Sequence, residues 1–126
     1  MGKHDHKKEF SPESRSHVSL AVYYHGQEKL LKDYTVNMST GGVFIETVNI
    51  LPVDSMLYMQ FKLPDTAPDT DTIITCNARV AWTNEPGHLK KISFPPGMGL
   101  QFLDLPLDDM YAIRDYLNKG IFVPAW

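Results

Sequence analysis

The chain has one cysteine, few cations and no long apolar run, and each shortage narrows the classes of protein it can belong to. Cys76 has no partner for an intramolecular disulfide, which is typical of a reducing compartment. With 12 Lys and Arg against 15 Asp and Glu, the net charge of −3 gives no basic footprint for DNA or RNA polymers. The polar N-terminus lacks the apolar core of a signal peptide, and no run reaches the roughly 18 apolar residues of a membrane helix. We therefore expect one cytoplasmic domain in 126 residues, with no membrane insertion and no structural metal.

Composition divides the chain into three parts. Residues 1–16 carry mixed charges and only Phe10 as a large hydrophobe beyond the initiating position, so they bury too little surface to offset their ordering entropy. We predict a flexible segment over 1–16, a folded domain over 17–119 and an apolar tail over 120–126 that folds back onto the domain.

Apolar residues that alternate with polar ones predict a mostly β domain after residue 17. The clearest pair of strands has one apolar face each, and the polar loop between the two strands predicts antiparallel pairing. These faces consist of Leu57, Met59, Phe61 and Leu63, and of Ile74, Cys76, Ala78, Val80 and Trp82. Residues 25–29 are predicted as a turn, 34–36 as a short extended piece, and 84–96 as a long connection that is either functional or mobile.

Helical periodicity occurs once, near the C-terminus. Met110, Ile113 and Leu117 follow a spacing of three and four residues, acidic residues precede them, and a glycine follows, which together predict a helix over 107–119. Five or six strands and one terminal helix predict a small antiparallel barrel capped by that helix.

No arrangement of side chains predicts an enzyme. Cys76 falls on the apolar face of its strand, where a thiol is buried and inert. His4 and His6 lack a third ligand at the spacing of a metal site and belong to a solvated segment. The run 97–102, Gly-Met-Gly-Leu-Gln-Phe, lies within a strand and lacks both the third glycine and the helix of a phosphate-binding turn.

The residues that favour ligand binding are Arg15 and the hexad Asn37–Gly42. The hexad has the composition of a turn, with Asn and Ser bonding the local backbone and adjacent glycines that permit positive φ. A guanidinium binds guanine O6 and N7 or a phosphate through two hydrogen bonds, while amide and hydroxyl groups fix orientation. These groups suit an anionic purine nucleotide, although a plain surface arginine beside an ordinary turn has the same composition.

This combination resembles the PilZ domain family, a bacterial receptor module for cyclic di-GMP. The family signature is R-x-x-x-R before the first strand and [D/N]-x-S-x-x-G some twenty residues later, and Asn37–Gly42 matches the second motif fully. The resemblance covers residues 11–119, includes the runs 42–45, 79–82 and 97–102, and is similar to stand-alone paralogues of the myxobacterial type. It implies a six-stranded antiparallel barrel with a C-terminal helix. It also implies a cyclic di-GMP site, whose residues here would be Arg15, Asn37, Ser39, Gly41 and Gly42.

The sequence departs from the family at one position of the first motif. Ser11 stands where the first arginine of R-x-x-x-R is expected. Losing one charge-assisted partner costs about 1.5–3 kcal/mol, or about tenfold to more than a hundredfold in affinity. A lysine from the preceding segment would not restore planar recognition through two hydrogen bonds.

Two functions remain open from the sequence. The first is a single-domain receptor that binds cyclic di-GMP with weakened affinity and relays it to a protein partner, for example in motility regulation. Ordering of residues 1–16 would then be the switch. The second is a degenerate PilZ-like adaptor that ignores the nucleotide and acts through protein contacts. Neither requires a cofactor.

Overall fold

Seven strands and one helix make up the described part of the protein. A computed structural model describes residues 15–26, 29–64 and 71–119, and within these ranges no helix is long and apolar enough to cross a bilayer. The predicted tail and nearly all of the predicted flexible segment lie outside the described residues. The elements are β1 (Ser16–His17), β2 (Ala21–Gly26), β3 (Lys29–Met38), β4 (Gly42–Glu46), β5 (Met56–Leu63), β6 (Thr72–Asn84), β7 (Gly97–Phe102) and α1 (Leu107–Lys119).

Six of the strands close into an antiparallel barrel, as predicted. The order β3-β2-β5-β6-β7-β4 ends with β4 pairing back onto β3, so the sheet has no free edge within this ring. The short strand β1 pairs with the last residues of β3, beyond Tyr34, which faces the first residue of β2. The chain therefore enters the barrel beside the end of β3.

The core lies inside the barrel and under the helix. The four apolar positions predicted on β5 are all buried, and so are the alternate positions of β6, which are Ile74, Cys76, Ala78 and Val80. The helix occupies the predicted residues and packs Ile113 and Tyr116 into this core. Met110 and Leu117 are only partly buried, so Tyr116 replaces them as the second core residue of the helix.

Strand β3 is longer than the sequence predicted. A turn was expected over 25–29 and an extended piece over 34–36, whereas β2 and β3 form a hairpin in which β3 already begins at Lys29. The alternation is masked because two inward positions of β3 hold Asp33 and Thr35. Asp33 accepts a 2.7 Å hydrogen bond from the Tyr24 hydroxyl, and the buried Thr35 hydroxyl accepts one of 2.9 Å from the Leu20 amide. These bonds satisfy polar groups where apolar side chains would otherwise be expected.

Candidate functional site

Arg15 lies against the two polar side chains of the predicted motif. Its Nε donates a 2.8 Å hydrogen bond to Asn37 Oδ1, and its Nη1 donates a 3.3 Å bond to Ser39 Oγ. The pairing of His17 with Asn37 causes this proximity, because it places Arg15 beside the end of β3. Asn37 and Ser39 are almost fully buried, so their orientations are fixed by the fold.

The hexad contains the turn between two strands, in agreement with its composition. Asn37 and Met38 end β3, Gly42 begins β4, and the Ser39 amide donates a 2.9 Å hydrogen bond to the Gly42 carbonyl. The Ser39 hydroxyl also accepts a 3.1 Å bond from the Gly41 amide.

The hexad glycines do not adopt the positive φ that glycine permits. Among the described residues, only Asp54 and Gly87 have a positive φ. Gly42 is required for a different reason, since a Cβ at this position would collide with the Leu100 carbonyl of the neighbouring strand β7.

These residues lie at one side of an open cleft of about 520 Å³ on the outside of the barrel. The structure brings all five predicted site residues together there, and it adds residues from β4, β6, β7 and the 85–96 loop. Within the described ranges, none of the residues lining the cleft is acidic. The lining residues are Arg15, Asn37, Ser39, Gly41, Gly42, Phe44, Arg79, Ala81, Trp82, Lys91, Phe94, Gly99, Leu100 and Gln101.

A second arginine lies in the same row of the sheet as Gly42. Gly42 pairs with Gln101, and Gln101 pairs with Arg79, so the row crosses β4, β7 and β6. Arg79 donates from Nε and Nη2 to Gln101 Oε1, at 3.2 and 2.9 Å, and from Nη1 to the carboxylate of Asp54. The guanidinium is therefore held in place at the edge of the cleft.

An aromatic cluster forms the next part of the wall. Phe44, Gly99 and Trp82 lie in one row, and the rings of Phe44 and Trp82 stack across the glycine with centroids 5.1 Å apart. Phe94 meets Phe44 edge-on at 5.0 Å. A Cβ at Gly99 would collide with the Trp82 indole, so the stacking depends on the missing side chain.

Trp82 was predicted on the core face of β6, and this prediction is wrong. The register of β6 against β7 shifts between Val80 and Trp82, where two residues of β6 oppose one of β7. Such a bulge re-aims the side chains that follow it. Val80 therefore stays buried in the core, while Trp82 is partly exposed and lines the cleft.

The 85–96 loop is tied to the barrel by one buried side chain. Asn84 Oδ1 accepts hydrogen bonds from the amides of Lys90 and Lys91, and its Nδ2 lies 3.1–3.2 Å from three loop carbonyls. The loop places the Lys91 ammonium 5.5 Å from the ring centroids of both Trp82 and Phe94. The long connection is thus ordered against the cleft and adds a cation to it.

A family model for the PilZ domain matches residues 11–119, a range that contains all of the described residues. The chain belongs to the PilZ domain family. PilZ domains are binding and adaptor domains rather than enzymes, and the closed barrel with one C-terminal helix is their fold.

One solved structure extends the comparison of folds. The Bacillus subtilis inhibitor of motility (MotI/DgrA) superposes on this PilZ domain with a TM-score of 0.68 at 18% sequence identity. The alignment covers 83% of this chain and 48% of that protein, so the chain spans about half of its length. At this identity the likeness concerns the fold alone. No curated protein matches the chain.

Sequence reasoning missed the far wall of the cleft in this PilZ domain. Arg79 and Trp82 belong to the run 79–82 that carried part of the family resemblance, so a signal for them existed. Lys91 and Phe94 had no such signal, because their place at the cleft depends on long-range contacts such as the hydrogen bonds of Asn84.

The other candidate groups lie away from the cleft. Cys76 is buried in the core as predicted, and desolvation raises the pKa of its thiol from 9.0 to about 12, with smaller contributions from Asp104 and Asp109. The run 97–102 forms strand β7, as expected. Within the described ranges no three His, Cys, Asp or Glu residues gather as a metal site would require, and His4 and His6 lie outside those ranges.

Proposed function

We propose that this PilZ domain is a receptor for cyclic di-GMP that passes the signal to a protein partner. The observation that supports it best is the Arg15 guanidinium, which Asn37 and Ser39 hold at the edge of a cleft lined by further cations and aromatic rings. The family membership supports the same proposal, because cyclic di-GMP is the ligand associated with this signature.

The chemistry of the cleft suits a cyclic dinucleotide. Arg15, Arg79 and Lys91 supply positive charge for two phosphates, and guanidinium groups also bind the O6 and N7 edge of guanine. The partly exposed Trp82 and Phe94 offer faces on which a purine stacks. A volume of about 520 Å³ lies within the usual range of about 300–1,000 Å³ for small-molecule sites.

The affinity of the natural sequence is weakened by the serine at position 11. A receptor with both arginines of the first motif would gain a further planar, charge-assisted contact, which is worth about tenfold to more than a hundredfold in affinity. The proposed receptor therefore responds at higher nucleotide concentration than a complete PilZ site would.

Isothermal titration calorimetry with cyclic di-GMP tests this function. We expect saturable binding by the natural sequence, a loss of at least about tenfold in Arg15→Ala, and a gain of about tenfold in Ser11→Arg. Arg114→Ala is the matched control, since this arginine lies on α1 over the Tyr111 ring and outside the cleft. Absence of heat at high micromolar ligand in both the natural sequence and Ser11→Arg would refute the proposal.

A second candidate is an adaptor that works without nucleotide. Ser11 favours it, and so do large exposed side chains on the outer face of β2, β3 and β5, where Tyr23, Leu30 and Tyr58 are 40%, 60% and 50% exposed. Exposed apolar and aromatic surface of this kind occurs at protein interfaces. Recovery of the same partner by the natural sequence and by Arg15→Ala, with and without cyclic di-GMP, would favour the adaptor.

A further inference from the structure

We infer that Arg79 is the second guanidinium of the nucleotide site, in place of the arginine absent at position 11, and that Asp54 competes with the ligand for it. The inference rests on the proposed cyclic di-GMP binding and names two residues that set its strength. Neither residue belongs to the signature motifs.

The register of the sheet places Arg79 within reach of a ligand held by the motif. Gly42, the last residue of the hexad, and Arg79 are two strands apart in one row, with Gln101 between them. Neighbouring strands are about 4.8 Å apart, so the two backbones are separated by about 10 Å. A dinucleotide spans such a distance easily, and both Arg15 and Arg79 line the same cleft.

Gln101 prepares the Arg79 side chain for binding. Its Oε1 accepts hydrogen bonds from both Nε and Nη2 of Arg79, which fixes the plane of the guanidinium. These hydrogen bonds immobilise the Arg79 side chain, which at 35% exposure is still open to the cleft. A side chain that is already ordered loses less entropy when a ligand arrives.

Asp54 binds the remaining edge of the guanidinium. It accepts from Arg79 Nη1, and its own side chain is 74% exposed. A phosphate oxygen and a carboxylate oxygen make the same kind of charge-assisted bond to an arginine. Because exposed ion pairs contribute little to stability, a nucleotide phosphate displaces this carboxylate at small cost.

The backbone keeps Asp54 in this position. The Asp54 amide donates a 2.8 Å hydrogen bond to the Val80 carbonyl, and the Val80 amide donates a 2.9 Å bond to the Ser55 carbonyl. Asp54 also has a φ of 78°, a left-handed conformation that Asp and Asn adopt more readily than other non-glycine residues. Asp54→Asn therefore removes the charge while the turn keeps its shape.

Calorimetric titration with cyclic di-GMP, run on four variants of the full chain, tests the inference. We expect Arg79→Ala to weaken binding by about tenfold to a hundredfold and Arg79→Lys to weaken it less, because lysine keeps the charge and loses the planar fork. Asp54→Asn should tighten binding by about twofold to fivefold, since a competing anion in an exposed ion pair is removed. Asp115→Asn, on the exposed face of α1, is the charge-matched control for Asp54→Asn and should leave affinity unchanged.

The outcomes separate this inference from the proposed function. Unchanged affinity in Arg79→Ala and in Asp54→Asn, beside measurable binding by the natural sequence, would overturn the inference and leave the receptor function intact. If neither the natural sequence nor Ser11→Arg binds cyclic di-GMP, the inference and the proposed function are both overturned. If Arg79→Ala lowers the melting temperature, the affinities of Arg79→Lys and Asp54→Asn decide between the two roles of the ion pair. A purely structural pair predicts that Asp54→Asn lowers the melting temperature and does not raise the affinity for cyclic di-GMP.

Discussion

Replacement of Asn84 by alanine should detach the 85–96 loop from the barrel. Asn84 is fully buried, and its Oδ1 accepts from the amides of Lys90 and Lys91 at 2.7 and 3.0 Å. Its Nδ2 lies within hydrogen-bonding distance of the carbonyls of Lys91, Phe94 and Pro95. Alanine removes all of these bonds and leaves unpaired backbone groups in a partly buried place.

The expected loss of stability follows from these bonds. An asparagine amide has two N–H donors and two acceptor lone pairs, so it makes at most four of these hydrogen bonds at once. At a net contribution of about 1 kcal/mol for each bond, the loss in the free energy of unfolding is about 4 kcal/mol. The loop lies at the surface, so it shifts and rehydrates some of these groups, which lowers the loss to about 2–4 kcal/mol. A domain of this size has about 5–15 kcal/mol in total, so the variant still folds.

Urea denaturation followed by circular dichroism measures this loss, and Trp82 fluorescence in a Trp126→Phe background reports on the cleft. Asn49→Ala, at an exposed position, should change the free energy of unfolding by less than about 0.5 kcal/mol. A loss below about 1 kcal/mol in Asn84→Ala, with unchanged Trp82 fluorescence, would refute the view that this side chain holds the loop.

Two further predictions concern the barrel itself. Gly99→Ala should lower the free energy of unfolding by about 1–3 kcal/mol in urea denaturation, because the added Cβ would displace the Trp82 indole from Phe44. Trp82 fluorescence should change as well, and an unchanged spectrum would contradict this explanation. Stability should fall as the pH rises from 9 towards 12, because the unfolded thiol of Cys76 ionises near pH 9.0 while the folded thiol keeps its proton up to about pH 12. In thermal melts at a series of pH values, the melting temperature of Cys76→Ala should fall less steeply over this interval than that of the natural sequence. Equal slopes would contradict the assignment of this pH dependence to the Cys76 thiol.

Much of the fold was predictable because its signals are local. The alternation in β5 and β6 directly reflects one buried and one exposed face. The helix was predictable from the spacing of Met110, Ile113 and Leu117 and from the acidic residues of its first turn. Strand β3 was underestimated because Asp33 and Thr35 face inward. Their hydrogen-bond partners Val18, Leu20 and Tyr24 lie 9 to 17 residues earlier in the chain, and a local pattern does not contain them.

The candidate site was predictable only on the side that carries the motif. The resemblance led to Arg15, Asn37 and Ser39, and the structure brings these side chains into hydrogen-bond contact. The opposite wall depends on the registers of three strands and on one bulge. Arg79 lies beside the motif because Gln101 pairs with both Gly42 and Arg79, and no property of the sequence near residue 79 specifies that pairing.

The Thr35 hydroxyl holds residues 18–20 to β3 more firmly than the residues before them, which include Arg15. It bonds the carbonyl of Val18 and the amide of Leu20, and the Val18 amide bonds the Val36 carbonyl, so the chain is firmly held from residue 18 onward. Before that point the two residue pairs of β1 join it to β3, and the Arg15 side chain adds its hydrogen bonds to Asn37 and Ser39. We therefore expect local opening to stop at Val18 and to cost less than global unfolding, because it breaks the β1 pairs and the Arg15 hydrogen bonds and leaves the barrel closed. Amide hydrogens of β1 would exchange with solvent ahead of those in β5 and β6, and occupation of the cleft would slow that exchange.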